Sequence, residues 1–289
     1  MKEKLKEFWI RGKQINPVNY KIVLKRQLRK ILKREIKYIS SFFPYSITGF
    51  HNPDLVYLQA VLLADSFSED SLKYASDNRL INLISGLELL SIGISFHNFK
   101  TAGSNITVKN FSTAEKKYTL DLLFGDIFYS RAVIYLLKYQ DHEVFGKILG
   151  SMKRLHESRL KLHMKIQDAI KGKIEPSLID SNISILIDAS RLLYISFEIG
   201  DSISDRREQD GRADKYREIA ERIVLLKTYN ELLEYMHAFP RIDSLDKISD
   251  YLNSKNNFIC KELNSSISKP GPDKFKPGID TLLESLNFS

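Results

Sequence analysis

Apolar residues recur three and four positions apart through long stretches of this chain, a period that predicts helices. Leu24, Leu28, Ile31, Ile36 and Ile39 form one such stripe within residues 18–39, while Lys21, Lys25, Arg29 and Lys33 repeat every four residues on another face. A second helix is expected over 53–67, with Asp54 in its first turn. Residues 77–97 are almost continuously apolar, reading LINLISGLELLSIGISF in their main part. The stretch LSIGISF alternates well enough for a strand, but the apolar run is too long for an ordinary strand, so a helix is expected. Helical spacing resumes over 118–139 with Leu122, Leu123, Ile127 and Tyr129. It continues over 142–171 through Val144, Ile148, Met152, Leu155, Leu162 and Ile166, and then over 177–205 and 212–237. The pattern shows neither a convincing β-hairpin nor an internal repeat. The expected fold class is all-α, a single bundle of long helices.

Prolines mark the joints. None lies between Pro53 and Pro176, whereas three cluster in KPGPDKFKPG near the end, ahead of the helical pattern IDTLLESL. The expected organisation is a basic amphipathic arm over 1–40, an all-α domain over 41–262, and a Pro/Gly-rich linker with a short helix over 263–289. With 289 residues, of which 43% are hydrophobic, the chain can bury a sizeable core and does not read as disordered. Cys260 is the one cysteine, so no intrachain disulfide forms; a reducing, cytoplasmic setting is expected. Residues 1–13, MKEKLKEFWIRGK, are charged throughout, and no signal peptide is expected there. Leu80–Phe96 carries Asn82, Glu88 and several serines and reads as a buried helix of a soluble protein.

Charge changes the picture at one end. The formal net charge is +8, but residues 1–40 hold 13 Lys and Arg against Glu3, Glu7 and Glu35, so the remainder is close to neutral. Such a run is most often a solvated or internally packed face. An anionic membrane surface is a second expectation, with Phe8 and Trp9 as interfacial anchors. Nucleic acid is the least supported partner, because no zinc finger, helix-turn-helix with a glycine turn or aromatic RNA motif accompanies the charge.

Most catalytic signatures are missing: no HExxH, no GxxxxGK[ST], no GxGxxG after a strand, no GxSxG and no Cys–His pair around Cys260. His51, His97, His142, His156, His163 and His237 have no cysteine partners, and His156 and His163 lie two turns apart, too far to share one zinc. Two segments stand out. The first is Leu122 to Ala132, LLFGDIFYSRA, where Gly125-Asp126 interrupts an apolar helix. Glycine there costs helix stability but lets another helix approach, and a buried aspartate needs a partner, with Arg131 or the backbone as local candidates. The second is Phe197 to Asp205, FEIGDSISD. Asp201 and Asp205 are stacked one turn apart and could hold Mg²⁺, or could simply cap a surface beside Arg206 and Arg207. Gly86, Gly93, Gly125 and Gly200 lie in apolar helices and suit either close helix packing or passage of a ligand chain.

In order and spacing, these segments resemble the trans-polyprenyl diphosphate synthases of the all-α isoprenoid synthase fold. The resemblance covers roughly residues 50–210. Gly86-Leu87-Glu88-Leu89-Leu90 through Phe96-His97 is similar to the helix that leads into the family's first aspartate-rich motif. LFGDIFYSRA is similar to its Gly-Asp helix, and Phe197–Asp205 to its second aspartate motif. The chain departs from the catalytic members after His97, where Asn98, Phe99, Lys100 and Ala102 stand in place of carboxylates. The Arg-Arg-Gly that follows in the family is also replaced, by Ser104-Asn105-Ile106, and an early Gly-Lys-Arg segment is missing near Pro53.

Retained helices with a lost first motif resemble the small subunit, component I, of two-component heptaprenyl or hexaprenyl diphosphate synthases. GDIFYS and the helix from Met152 to Leu162, MKRLHESRLKL, carry that likeness. The resemblance implies a chain without a cofactor of its own, paired with a catalytic subunit that holds Mg²⁺. It further implies a role in setting the length of a polyprenyl diphosphate product for menaquinone. Leu122, Phe124, Phe128 and Tyr129, with Gly125 and Asp126, are the expected tunnel or interface residues. The alternatives are a single-chain prenyltransferase with Asp126, Asp201 and Asp205 in a rebuilt metal site, and a helical protein acting through its basic arm on a membrane or nucleic acid.

Overall fold

The structure is a computed structural model, and it describes residues 17–42, 47–48, 57–58, 60–61, 78–97, 107–108, 114–175, 191–203, 218–223, 225–226, 229–230, 233 and 243–268. Six helices organise them: α1 (Pro17–Ser40), α2 (Asn78–His97), α3 (Ala114–Leu136), α4 (His142–Ile170), α5 (Arg191–Ile203) and α6 (Asp243–Ser268). Shorter helical stretches lie between 57 and 61 and between 218 and 233. A two-residue antiparallel ladder pairs β1 (Ile47–Thr48) with β2 (Thr107–Val108), Ile47 opposite Val108. The architecture is all-α.

The most extensive contact is between α2 and α3. α2 is long and apolar enough by composition to cross a bilayer, yet 83% of its most apolar window is buried inside the chain. It is a core helix, and its polar residues are satisfied locally. Ser85 Oγ donates to Ile81 O at 2.6 Å, Asn82 Nδ2 donates to Asn78 O, and Glu88 Oε1 accepts the Leu58 backbone N–H at 2.9 Å. The LSIGISF half is helical with the rest, and the core buries all of it but the partly covered Ser91 and Ser95.

α1 belongs to that same core. Leu24, Leu28, Leu32 and Ile39 are at most 1% exposed, packed into one cluster with Leu87, Phe124 and Phe197. The part of the expected basic arm that α1 comprises thus packs internally, one of the uses allowed for it. At the other end α6 runs to Ser268 with Leu252, Ile259 and Leu263 buried. Asn256 Nδ2 donates to Asn230 Oδ1 at 2.8 Å, and Arg222 pairs with Glu262 at 3.6 Å, tying α6 to the 218–233 region.

Helix ends are set by backbone chemistry. Gly172, at φ +68, donates to Ala169 O while Lys173 N donates to Asp168 O, a double closure that stops α4. The turn between α3 and α4 holds Asp141, whose carboxylate accepts two hydrogen bonds from Arg79 at 2.6 and 2.8 Å. That fork fastens the start of α2 to the end of α3, as the antiparallel pair requires.

Candidate functional site

The pairing of α2 with α3 is built on glycines. A Cβ on Gly93 would lie 3.1 Å from Gly125 O and 2.6 Å from the Tyr129 ring. A Cβ on Gly125 would lie 3.2 Å from Gly93 O and 2.0 Å from His97 Cδ2. The two helices thus meet backbone to backbone, and Leu136 fills the corresponding space at Gly86. Of the two uses that sequence allows for these glycines, close helix packing is the one the contacts display. The space they open is taken by His97, Tyr129 and Leu136.

This contact brings the end of the apolar 77–97 segment onto the Gly-Asp segment of α3. His97, the last residue of α2, lies over Gly125 and places Nε2 3.2 Å from Asp126 Oδ1. The His97 Nε2 atom is buried and makes no hydrogen bond, so the two side chains are close neighbours and not a bonded pair. The His97 ring stacks on Tyr129 with centroids 4.9 Å apart. Tyr129 Oη in turn lies 2.9 Å from His156 Nε2 of α4, and the two imidazoles are 5.9 Å apart. Phe124 and Phe128 are fully buried and stack on Phe96 at 5.6 Å each. They sit in the chain's own core and are not at its surface. Leu122 and Tyr129 are half-buried.

Asp126 differs from its expectation. It is 67% exposed, and its partner is His97 of another helix, neither Arg131 nor the backbone. Arg131 serves a different acid. Its Nε donates to Glu35 Oε2 at 2.6 Å, and Tyr135 Oη donates to Glu35 Oε1 at 2.7 Å. Arg34 donates to Tyr135 Oη at 2.8 Å, and the Arg131 guanidinium lies 5.0 Å above the Tyr38 ring. Burial pushes the Glu35 carboxyl up, but the hydrogen bonds from Arg131 and Tyr135 outweigh it and hold the group below the usual carboxylate range. Burial and the bond to Glu35 hold the Tyr135 phenol above its ordinary value. Sequence reading missed this network. The signal was present, since Glu35 falls in register with Leu28, Leu32 and Ile39 on the apolar side of α1.

The second carboxylate pair is less completely placed. Asp201 lies in α5, three residues after Glu198, which Lys147 of α4 approaches at 3.8 Å. The Asp201 side chain, Asp205, Asn98, Phe99 and Ala102 lie outside the described residues. Mg²⁺ asks for several oxygen ligands. At the end of α2 the donors brought together are an imidazole and one exposed carboxylate already facing it, and the residue after His97 is Asn98. Those residues do not fit Mg²⁺. Among the described residues, no three His, Cys, Asp or Glu side chains gather as a metal site.

The arrangement of helices is similar to that of solved polyprenyl diphosphate synthases. The heptaprenyl diphosphate synthase of Staphylococcus aureus superposes with a TM-score of 0.58 at 13% identity, covering 94% of this chain and 98% of that one. The decaprenyl diphosphate synthase of Rhodobacter capsulatus gives 0.54 at 9% identity, with 91% and 98% covered. The polyprenyl synthase of Caulobacter crescentus CB15, solved with calcium and isoprenyl diphosphate, gives 0.52 at 11%, with 82% and 83% covered. At such identities the likeness is one of fold. No family model and no curated protein matches the sequence.

Proposed function

We propose that this chain is a non-catalytic subunit of a heteromeric trans-polyprenyl diphosphate synthase, acting with a catalytic subunit to set product length. The observation that carries the reading is the end of α2. In a polyprenyl-synthase fold this helix stops at His97, and the chain continues Asn98-Phe99-Lys100, without a carboxylate and with an added cation. Ionising an allylic diphosphate needs metal charge on the departing pyrophosphate. A chain without carboxylates directly after His97 would leave Mg²⁺ and the chemistry to its partner. Its contribution would be shape, with the α2–α3 pair held shut by Gly93, Gly125 and Tyr129 against an alkyl chain. A polyprenyl diphosphate for menaquinone is the proposed product of the complex, and the cytoplasm its proposed setting.

The test is prenyl transfer from labelled isopentenyl diphosphate to farnesyl diphosphate with Mg²⁺, by the chain alone and with a candidate catalytic subunit. No product alone and long-chain product with the partner is the expected pair of results. Product from the chain alone overturns the reading and directs attention to Asp126, Asp201 and Asp205. A catalytic subunit whose activity and product length are indifferent to this chain also overturns it.

A further inference from the structure

The outer face of α1 has a use of its own. With Leu24, Leu28, Leu32, Ile36 and Ile39 turned into the core, the helix presents Arg26, Lys30, Lys33 and Lys37 to solvent. Their spacing of four, three and four residues lines them up along about 17 Å of one face. Lys25 and Arg29 flank them half-buried on one side, and Arg34 is exposed on the other. The helix contains a single acid, Glu35, which is 2% exposed and bound to Arg131 and Tyr135. Folding therefore removes the lone negative charge and leaves a stripe of one sign. Among the described residues, Arg26, Lys30, Lys33 and Lys37 form no ion pair.

Apolar groups frame that stripe. Ile22, one turn before Arg26, is 51% exposed, and its neighbour Val23 is 43% exposed. At the other end Tyr38 and Phe42 are 48% and 60% exposed, their rings packed edge to face at 4.8 Å. We propose that the outer face of α1 docks on an anionic lipid bilayer, its cations at the phosphate layer and the flanking apolar side chains at the acyl boundary. A polynucleotide would satisfy the cations but leave Ile22, Val23 and Phe42 in water, whereas the headgroup region accommodates both. The charge asymmetry orients the approach, because the residues after position 40 carry slightly more acid than base. The proposal stands apart from prenyl transfer and does not depend on it.

The test is flotation of the full chain with phosphatidylcholine vesicles, with and without about 30% phosphatidylglycerol. Binding is expected only to the acidic vesicles and is expected to collapse between about 50 and about 500 mM NaCl. Replacing Arg26→Gln, Lys30→Gln, Lys33→Gln and Lys37→Gln together is expected to weaken binding roughly 100- to 1,000-fold, at about fivefold per cation. The pair Ile22→Ser and Phe42→Ser is expected to lower affinity while leaving the salt dependence unchanged. A quadruple variant that keeps the wild-type urea midpoint and still binds acidic vesicles like the wild type would overturn the proposal. So would equal binding to neutral vesicles, or tighter binding to single-stranded RNA than to acidic vesicles at the same salt.

Discussion

Glu35 offers the sharpest test of how the body is held to its first helix. Its side chain is 3% exposed and takes two short hydrogen bonds from α3, one of them from a guanidinium that is itself 27% exposed. Glu35→Ala leaves the Tyr135 hydroxyl and the Arg131 Nε without their acceptor. Breaking a buried pair from one side costs about 3–5 kcal/mol, and partial exposure of Arg131 puts this case near the lower end, about 3. Glu35→Gln keeps the shape and a neutral acceptor and costs about 1–2 kcal/mol. In a chain of this length, 3 kcal/mol corresponds to roughly 5 °C in Tm. Urea unfolding followed by circular dichroism measures both variants, and the double variant Glu35→Gln/Arg131→Gln is expected to show coupling of about 1–3 kcal/mol. The pH dependence has a defined sign. A carboxyl held below its ordinary value contributes stability that is complete above the usual range, about pH 4.3, and lost as pH falls through the folded value. The phenol, held above its ordinary value, acts in the opposite sense and loses its contribution only at alkaline pH. The gap between wild type and Glu35→Gln is therefore flat near neutrality and shrinks below about pH 4. A gap unchanged down to pH values near 3, or a Glu35→Ala cost under about 0.5 kcal/mol, would refute this account of the network.

Other expectations follow from the helix contacts. Gly125→Ala drives a methyl against His97 and the Gly93 carbonyl and is expected to cost about 1–3 kcal/mol in urea unfolding, as is Gly93→Ala against Tyr129. Gly146→Ala on α4 meets nothing within 4 Å and should instead raise stability by about 0.5–1 kcal/mol, so it differs in sign from the other two. Tyr129→Phe removes the hydroxyl next to His156 while keeping the ring beside His97, and a loss of about 0.5–1.5 kcal/mol in urea unfolding is expected. Glu88→Ala strands the Leu58 amide in the core and should cost several times more than Glu88→Gln, whose amide oxygen can still accept that bond.

The helices that sequence periodicity locates best are those whose apolar faces are continuous. α2 and α4 were expected at 77–97 and 142–171 and run Asn78–His97 and His142–Ile170. α6 was not anticipated, because Leu252, Ile259 and Leu263 are separated by Asn, Lys and Ser. The Gly-Asp segment was legible as unusual, but the reasoning that its aspartate must be buried overlooked the helix's angular layout. Asp121, Phe124, Phe128, Ala132 and Tyr135 face inward, while Leu123, Asp126, Ser130 and Ile134 face out. A helix can be apolar on average and still expose a carboxylate. His97 could be connected to Asp126 only by three-dimensional packing, since they stand 29 positions apart in sequence. The network around Glu35 was hidden by arithmetic on charge, which weighed that acid equally with Glu3 and Glu7 and ignored its place among leucines.

The bond from Arg131 to Glu35 spans 96 residues of sequence, and this separation has a consequence during synthesis. At about 5–20 residues per second, α1 leaves the ribosome some 5–20 s before α3 can cover it. Until α2, its larger contact among the described helices, follows it out, a helix-forming segment with a leucine row and a cationic row stands uncovered. α2 and α3, close in sequence and joined through their glycines, can pair with each other first, and α1 then docks on a surface already made. Assembly of the body in that order makes the first helix emerge early and settle late.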